Sequence, residues 1–208
     1  TNALITRTGK SPALITTKGA GDTIETGKGN RYDPYDRMLE RPAPLVPRPL
    51  RKMLSERILA DGSVYNTLDD EEVKTVFQTL VAEGVEAVAV CLLHSYANAS
   101  HEQRIKKIAK EMGLNLYLSL SSEIAPELGE FERMTTTAAN AYIQPIAEGY
   151  LAELQNALKD LGHEGAFYLM WSDGGLASVE VTLQAPIRLL ESGPAAGALA
   201  VRHIEKSL

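Results

Sequence analysis

Apolar and polar positions alternate in blocks along this chain, and the pattern is clearest between residues 68 and 120. Apolar residues recur at helical spacing from Val73 to Val81, and Gly84 follows them as a typical helix end. The next segment, residues 85–93, is almost wholly apolar and β-branched, which is typical of a strand buried on both faces. The spacing therefore predicts a helix followed by a central strand.

The same alternation continues through a second helix and a second strand. Ile105, Ile108 and Met112 lie on one face of the predicted helix, and residues 114–120 form the predicted strand. A helix–strand–helix–strand series is typical of parallel strands that helices cover. The pattern therefore predicts an α/β fold with helices flanking the sheet.

The segments before this block give weaker signals. Residues 11–17 predict a short buried strand, and Asp61-Gly62 is a strong hairpin signal. Between residues 27 and 49 the periodicity disappears, and five prolines predict an irregular connection.

After residue 130 the pattern predicts a long helix and two apolar runs. Residues 135–161 have helical periodicity, but Pro145 removes one backbone hydrogen bond. We therefore expect a kink, or two helices that meet near Ile143. Residues 165–170 and the strand-like run 187–190 each end at a glycine-rich turn.

The second of these turns, Ser192-Gly193-Pro194, begins a helix of small residues. A helix start exposes backbone N–H groups, which together with the helix dipole favour an anion. Ser192 is the N-cap candidate, Pro194 fits the first turn, and the glycines, Gly197 included, allow close approach to the backbone. An ordinary cap on a tightly packed helix explains the same residues, so both interpretations stay open.

The first turn, Ser172-Asp173-Gly174-Gly175, follows a predicted buried strand. Ligands of open α/β sheets bind beyond the carboxyl ends of strands, and two glycines permit close backbone approach. Asp173 could hold a metal or a polar substrate group. The alternative is a simple turn in which Asp173 bonds its own backbone.

Two further groups have simpler explanations. His94 and Cys91 lack a supporting pair, which favours a structural histidine and an inert core thiol. Glu123, Glu127, Glu130 and Glu132, with Arg133, are typical of a solvated helix face with weak ion pairs, rather than of acid–base or metal chemistry. The four histidines have no metal-ligand spacing, so we assign no catalytic residue and no metal ligand.

Composition narrows the function classes. Hydrophobic residues make up 44% of the 208 and charged residues 23%, as in soluble globular proteins. The net charge of −6 disfavours a nucleic-acid surface, and no apolar run reaches the length of a membrane span. A single cysteine fits a reducing compartment, and there is no signal peptide, so we expect a cytoplasmic protein.

Seven motifs follow one another along the chain: Thr1-Asn2-Ala3-Leu4, Thr16-Thr17-Lys18-Gly19, the segment 84–95, Ser119 to Glu123, Glu132-Arg133, Asn140-Ala141-Tyr142 and Ser192 to Gly197. In their order and spacing they resemble the hydantoinase A/5-oxoprolinase family, which includes subunits of acetone and acetophenone carboxylases. The chain departs from the family at Trp171-Ser172-Asp173, where Gln-Ser-Asn is usual.

The resemblance implies the actin-like ATPase and sugar-kinase superfamily, with a ribonuclease H-like fold and a mixed sheet flanked by helices. Such enzymes use ATP and a divalent metal to activate an amide or a ketone. In an oxoprolinase, the lactam carbonyl is phosphorylated before the ring opens. We expect the substrate cleft to be lined by Ser172, Asp173, Gly174 and Gly175. We expect the nucleotide side to be lined or supported by Ser192, Gly193 and Gly197.

Two regions are implied, an N-terminal region at 1–125 and the start of the hydantoinase A core domain at 126–208. Family members carry an Asp-x-Gly-Gly-Thr phosphate hairpin before the segment that begins here and another after the Ser-Gly-Pro helix. Neither hairpin occurs in residues 1–208. We therefore expect an interior piece of a longer subunit, which binds neither ATP nor the metal tightly on its own.

Three functions are compatible with this sequence. The parent could be an ATP-dependent hydrolase that opens cyclic amides of the hydantoin or 5-oxoproline type, with a hydantoinase B-like subunit or fused domain as its partner. It could be an acetone or acetophenone-type carboxylase subunit. The isolated chain could also be a docking module without activity.

Overall fold

The computed structural model describes residues 1–29, 35, 36, 38 and 42–205. Its helices are α1 (Asn2–Thr6), α2 (Thr23–Thr26), α3 (Asp70–Ala82), α4 (Ser100–Glu111), α5 (Ser121–Ile124), α6 (Glu130–Asp160), α7 (Val179–Gln184) and α8 (Ser192–Glu205). Its strands are β1 (Ala13–Thr17), β2 (Arg51–Leu54), β3 (Arg57–Ile58), β4 (Val64–Asn66), β5 (Ala87–Cys91), β6 (Tyr117–Leu120), β7 (Tyr168–Met170) and β8 (Leu176–Ser178). The predicted irregular segment 27–49 lies partly outside the described residues.

The chain divides into two compact units, one of Lys10–Tyr142 and one of Thr1–Gly9 with Ile143–Leu208. The larger unit contains a four-stranded sheet in the order β2-β1-β5-β6, and every neighbouring pair is parallel. Every residue of β1 and β5 is buried, as their apolar sequences require. The predicted parallel sheet flanked by helices is therefore confirmed.

Helices cover both faces of this sheet. One face packs against α3 and α4 through a cluster that includes Ile15, Val90, Phe77, Ile105 and Ile108. The other face packs against α2 and the first turns of α6, through Leu14, Ala89, Ile24, Met134 and Ala138. With both faces covered by helices, the ends of the strands are where a parallel sheet can offer polar groups to a ligand.

A hairpin and an ion pair complete the framework around these strand ends. The Asp61-Gly62 signal is confirmed, because β3 and β4 pair antiparallel and the Gly62 N–H donates to the Leu59 carbonyl at 2.9 Å. Helices α3 and α4 are joined by Arg104, whose Nε donates to the Asp70 carboxylate at 3.1 Å. This arginine holds the pKa of Asp70 below its usual value.

In the smaller unit, the antiparallel hairpin β7–β8 packs beside α7. The Trp171 Nε1–H donates to the Thr182 hydroxyl of α7 at 3.2 Å, and the Arg188 guanidinium lies 4.6 Å from the indole ring.

The predicted strand at 187–190 is wrong, since the segment Pro186–Leu189 forms a 3₁₀ turn. Pro186 has no N–H for a strand ladder, whereas its fixed φ suits the start of a helical turn.

The predicted long helix is confirmed as α6, and the alternative of two helices near Ile143 is wrong. Pro145 lies inside α6 and lacks only its own donor, so the bonds of the neighbouring turns keep the helix continuous. The expected kink stays a prediction. The boundary between the compact units falls inside α6, between Tyr142 and Ile143, whereas the division at residues 125/126 stays a prediction.

Candidate functional site

The turn after β7 is closed by its own backbone. The Trp171 N–H donates to the Gly175 carbonyl at 2.8 Å, and the Gly174 N–H donates to the Trp171 carbonyl at 3.0 Å. The Asp173 Oδ1 accepts the Gly175 N–H at 2.8 Å, so one carboxylate oxygen stabilises the turn itself. Asp173 is exposed and bonds the backbone of its own turn, as the alternative of a simple turn predicts.

The start of α8 is open, and it differs from the predicted cap. Helix α8 begins at Ser192, so the non-helical residue before it is Glu191, whose φ is 60°. The assignment of Ser192 as N-cap is wrong, because a cap must have a non-helical backbone. Pro194 does lie in the first turn. A Cβ added at Gly193 or Gly197 would meet no atom within 4 Å, so a ligand could approach this backbone.

Within the smaller unit, the first predicted turn lies beside α8 and the segment before it. A Cβ built on Gly174 would lie 2.9 Å from Cδ1 of Leu199 in α8, and Gly174 has a left-handed φ of 84°. The Ser172 N–H donates to the Arg188 carbonyl at 2.8 Å, just before α8. The first turn therefore contacts the body of α8.

A second group of polar side chains lies at the carboxyl ends of β1, β2 and β5 in the larger unit. The Thr17 hydroxyl accepts the Leu93 N–H at 3.0 Å and donates to Oε1 of Glu56. The other Glu56 oxygen is 2.7 Å from Nδ1 of His101, and the Glu56 side chain has no solvent exposure. These bonds join the strand ends to α4.

Glu102, one residue further along α4, is also fully buried. Its Oε1 accepts the Leu92 N–H at 2.9 Å and the Ser121 hydroxyl at 2.7 Å, and its Oε2 accepts the Ser122 N–H at 2.8 Å. A group that accepts three bonds in this way is bound as a carboxylate. It fixes the backbone at the ends of both β5 and β6.

Arg133 supplies the opposite charge at the same place and is 1% exposed. Its Nη2 donates to the Ser121 hydroxyl at 2.7 Å and also to Ser95. Ser121 thus links the guanidinium to the Glu102 carboxylate. Among the described residues, Nε and Nη1 of Arg133 and the Ser122 hydroxyl have no partner, so this buried cluster has spare hydrogen-bonding capacity.

This position of Arg133 corrects the prediction that placed it on a solvated helix face. Its neighbour Glu132 does face outward, where it pairs with Lys28, and Glu123 pairs with Lys106 at 2.8 Å. Arg133 and Thr137 are one helical turn apart, and both are buried. Helix α6 therefore turns Arg133 inward and Glu132 outward.

His94 and Cys91 have structural contacts. The His94 Nδ1 lies 3.2 Å from the Tyr96 hydroxyl, and the Arg133 guanidinium lies 5.4 Å from the Tyr96 ring. Cys91 is 3% exposed, and burial raises the pKa of its thiol to about 12. Cys91 is therefore an inert core residue, since a thiol with that pKa is not a nucleophile near neutral pH, whereas the partly buried His94 has a structural contact with Tyr96.

The part of the chain that the structure describes contains neither a metal-binding cluster nor a membrane-spanning helix. There, no group of three or more His, Cys, Asp or Glu side chains could hold a metal ion. No helix among these residues combines the length and the apolarity that crossing a bilayer requires.

Two family models match the chain. The hydantoinase/oxoprolinase N-terminal region matches residues 1–113, and the hydantoinase/oxoprolinase domain matches residues 133–208. The chain belongs to the hydantoinase/oxoprolinase family. The resemblance seen in the sequence is therefore confirmed.

Relatives in the hydantoinase/oxoprolinase family include proteins with different named activities. The chain is 40% identical to an uncharacterised protein of Methanocaldococcus jannaschii, over 94% of this chain and 29% of that protein. It is 31% identical to the acetophenone carboxylase gamma subunit of Aromatoleum aromaticum, over 100% of this chain and 30% of the subunit. It thus spans less than a third of the length of these curated relatives.

A solved family structure shows the same fold. The ATP-dependent caprolactamase from Pseudomonas jessenii matches with a TM-score of 0.80 and 32% identity, over 86% of this chain and 26% of that chain. The fold is therefore that of ATP-dependent enzymes of the hydantoinase/oxoprolinase family, consistent with an actin-like ATPase-type fold.

Family motifs that are distant in the sequence meet at the carboxyl edge of the sheet. We define the buried polar cluster as Thr17, Glu56, Ser95, His101, Glu102, Ser121 and Arg133. Four of these lie in four different motifs of the family resemblance: Thr17, Ser95, Ser121 and Arg133. Hydrogen bonds therefore connect motifs that are distant in the sequence.

Sequence reasoning missed three members of this cluster, Glu56, His101 and Glu102. For Glu102 a signal existed, because it lies three positions before Ile105 and seven before Ala109 on the buried face of α4. A carboxylate at such a position must have buried partners. Glu56 gave no comparable signal, since it lies in a short loop between two strands.

Proposed function

We propose that this chain is part of an ATP-dependent hydrolase subunit that opens cyclic amides of the hydantoin or 5-oxoproline type. The observation that supports this proposal best is the match, at 32% identity and a TM-score of 0.80, to an ATP-dependent enzyme named for a lactam. A curated 5-oxoprolinase of Arabidopsis thaliana is also 32% identical, over 95% of this chain.

The proposed chemistry follows from the inertness of an amide. Bound ATP with a divalent metal would supply a phosphoryl group, which makes the amide carbon open to attack by water. On this chain, the first turn of α8 would bind phosphate through the N–H groups of Ser192 and Gly193. The space beside Gly193 and Gly197 fits such an approach. The turn Ser172–Gly175 would line the substrate cleft.

The residues of this chain fit one side of a nucleotide site. The helix start supplies N–H donors, but the described residues contain no metal-ligating group. We infer that the remaining phosphate and metal contacts come from other segments of the parent subunit. A hydantoinase B-like subunit or a fused domain would be its partner.

A carboxylase subunit is the second candidate, because the 31% identity to the acetophenone carboxylase gamma subunit extends over 100% of this chain. The complete subunit with its partner should be assayed with ATP and hydantoin, 5-oxoproline or acetone plus bicarbonate. We expect ring opening of a lactam coupled to ATP hydrolysis. No turnover of either lactam would overturn the proposal, and carboxylation of acetone would establish the second candidate.

The role of α8 has its own test. In the complete subunit, we expect Gly193→Val to lower ATP affinity at least about tenfold, because the added methyls would occupy the approach to the N–H groups. Gly149→Val is the matched control, since Gly149 is also helical and a Cβ there also meets no atom within 4 Å. Equal ATP affinity in both variants would refute the assignment.

The isolated chain should behave as a docking module. We expect isothermal titration calorimetry to show no saturable ATP binding to residues 1–208 alone. Tight binding would contradict both the docking interpretation and the inference that essential phosphate contacts lie elsewhere.

A further inference from the structure

A pocket of about 820 Å³ opens at the carboxyl ends of β1 and β2, within the larger unit. The residues that matter for its chemistry are Thr17, Lys18, Glu56, Arg57, Tyr65 and Asn66. We call it the Lys18–Arg57 pocket. Its size lies in the range of small-molecule sites, and its position is where open α/β sheets bind ligands.

The charge of the pocket comes from two cations. Neither Lys18 nor Arg57 has a side-chain hydrogen bond or an ion pair within the described residues. Glu56 also borders the pocket, but both of its oxygens are engaged, one by Thr17 and one by His101. With the Glu56 side chain at 0% exposure, the pocket offers positive charge to a ligand and keeps its carboxylate turned inward.

The walls are held by bonds that leave the two cations available. The Lys18 N–H donates to the Leu54 carbonyl at 2.9 Å, which extends the pairing of β1 with β2. The Asn66 side chain donates to the Ser55 carbonyl at 2.7 Å, which ties β4 to the loop just before Arg57. The pocket is thus formed by the backbone framework and not by the cationic side chains themselves.

We propose that the Lys18–Arg57 pocket binds a small organic anion through a carboxylate or phosphate group. The two cations match a group with several anionic oxygens, and the Tyr65 ring supplies an apolar wall for the rest of the molecule. The pocket shares no residue with the turn Ser172–Gly175 or with α8. It therefore adds a site to the proposed function, whichever reaction the parent catalyses.

A phosphate group could come from a nucleotide, and a carboxylate from a cyclic amide such as 5-oxoproline. Lysine labelling of the complete subunit, read by mass spectrometry, separates these sources without any substitution. Lys107, exposed on α4, is the internal control. The probes are inorganic phosphate, ATP, 5-oxoproline and uncharged caprolactam.

We expect an anion to slow the labelling of Lys18 at least about fivefold and to leave Lys107 unchanged. Protection by phosphate and ATP assigns the phosphate group, whereas protection by 5-oxoproline assigns the carboxylate. No protection by any anion, or equal protection by caprolactam, overturns the proposal.

A charge-neutralising pair tests the same proposal by affinity. We expect Lys18→Gln with Arg57→Gln to weaken binding of the protecting anion at least about tenfold. Lys107→Gln with Lys110→Gln removes the same charge from the exposed side of α4 and should change the affinity less than about twofold. Equal losses in both pairs would overturn the proposal. Should the first pair fail to fold, Lys18→Gln alone, checked by its melting temperature, provides the affinity readout.

Discussion

Replacing Glu102 by glutamine should destabilise the chain far more than the similar size of the two side chains suggests. In the structure, Oε1 accepts two hydrogen bonds and Oε2 accepts the Ser122 N–H at 2.8 Å. If the glutamine carbonyl takes the Oε1 position, its NH₂ group faces the Ser122 N–H, and two donors oppose each other. The same substitution removes the buried charge that balances Arg133 through Ser121.

The magnitude follows from these contacts. A lost hydrogen bond to a charged group costs about 1.5–3 kcal/mol, and the partly buried Ser122 N–H is then left without its acceptor. Glu102 is 0% exposed, so solvent does not reduce this cost. We expect the free energy of unfolding to fall by about 3 kcal/mol, which is a large part of the roughly 5–15 kcal/mol typical of a domain.

Urea unfolding followed by far-UV circular dichroism measures this loss. Glu111→Gln on the same helix is the control, because Glu111 is exposed and its ion pairs should contribute less than about 1 kcal/mol. If Glu102→Gln and Glu111→Gln unfold at the same urea concentration, the buried carboxylate does not hold the strand ends as described.

Three further outcomes can be measured. The Cys91 thiol, with its pKa raised to about 12, should react with iodoacetamide at pH 8 at least about 1000-fold more slowly than a cysteine introduced at exposed Ser63; equal rates would show that Cys91 is accessible. The arginine of α4 lowers the pKa of Asp70, so the folded state favours its carboxylate. Asp70→Asn should therefore lower the melting temperature at pH 7. The difference in melting temperature between the wild type and the variant should narrow below about pH 4, because the wild-type carboxyl then becomes protonated. A difference that stays constant from pH 5 to pH 3 would contradict this. Gly174→Ala should cost about 1–2 kcal/mol, because φ is 84° and its Cβ would meet Leu199, and adding Leu199→Ala should recover the steric part; unchanged unfolding of the single variant would refute this account.

The architecture was predictable where burial alone sets the pattern. Strand β5 is apolar at every position because both of its faces are covered, and α3 shows helical spacing because one of its faces is. The apolar run 187–190 suits a strand or a turn equally well, and Pro186 favours the 3₁₀ turn that the structure shows. Glu191 takes a left-handed backbone that its residue type gives no reason to expect, which moved the start of α8.

The polar groups at the sheet edge were only partly predictable, because their partners are distant in the sequence. Thr17 and Glu56 are 39 positions apart, and Arg133 and Ser95 are 38 apart. Periodicity reports which face of an element is buried, not which side chain of another element meets it. The family motifs could mark Thr17, Ser95 and Arg133, but their hydrogen-bond partners could be assigned only from the fold.

The strand order has a consequence for how this protein is made. Strand β1 is an inner strand, and its register with β5 pairs Thr16 with Cys91, 75 positions later. At a synthesis rate of roughly 5–20 residues per second, β1 must wait several seconds or more before that partner leaves the ribosome. During this interval an apolar strand that is wholly buried in the native state is exposed. Translation that stops before residue 91 should leave β1 unpaired on that side, and such products should be aggregation-prone clients of chaperones.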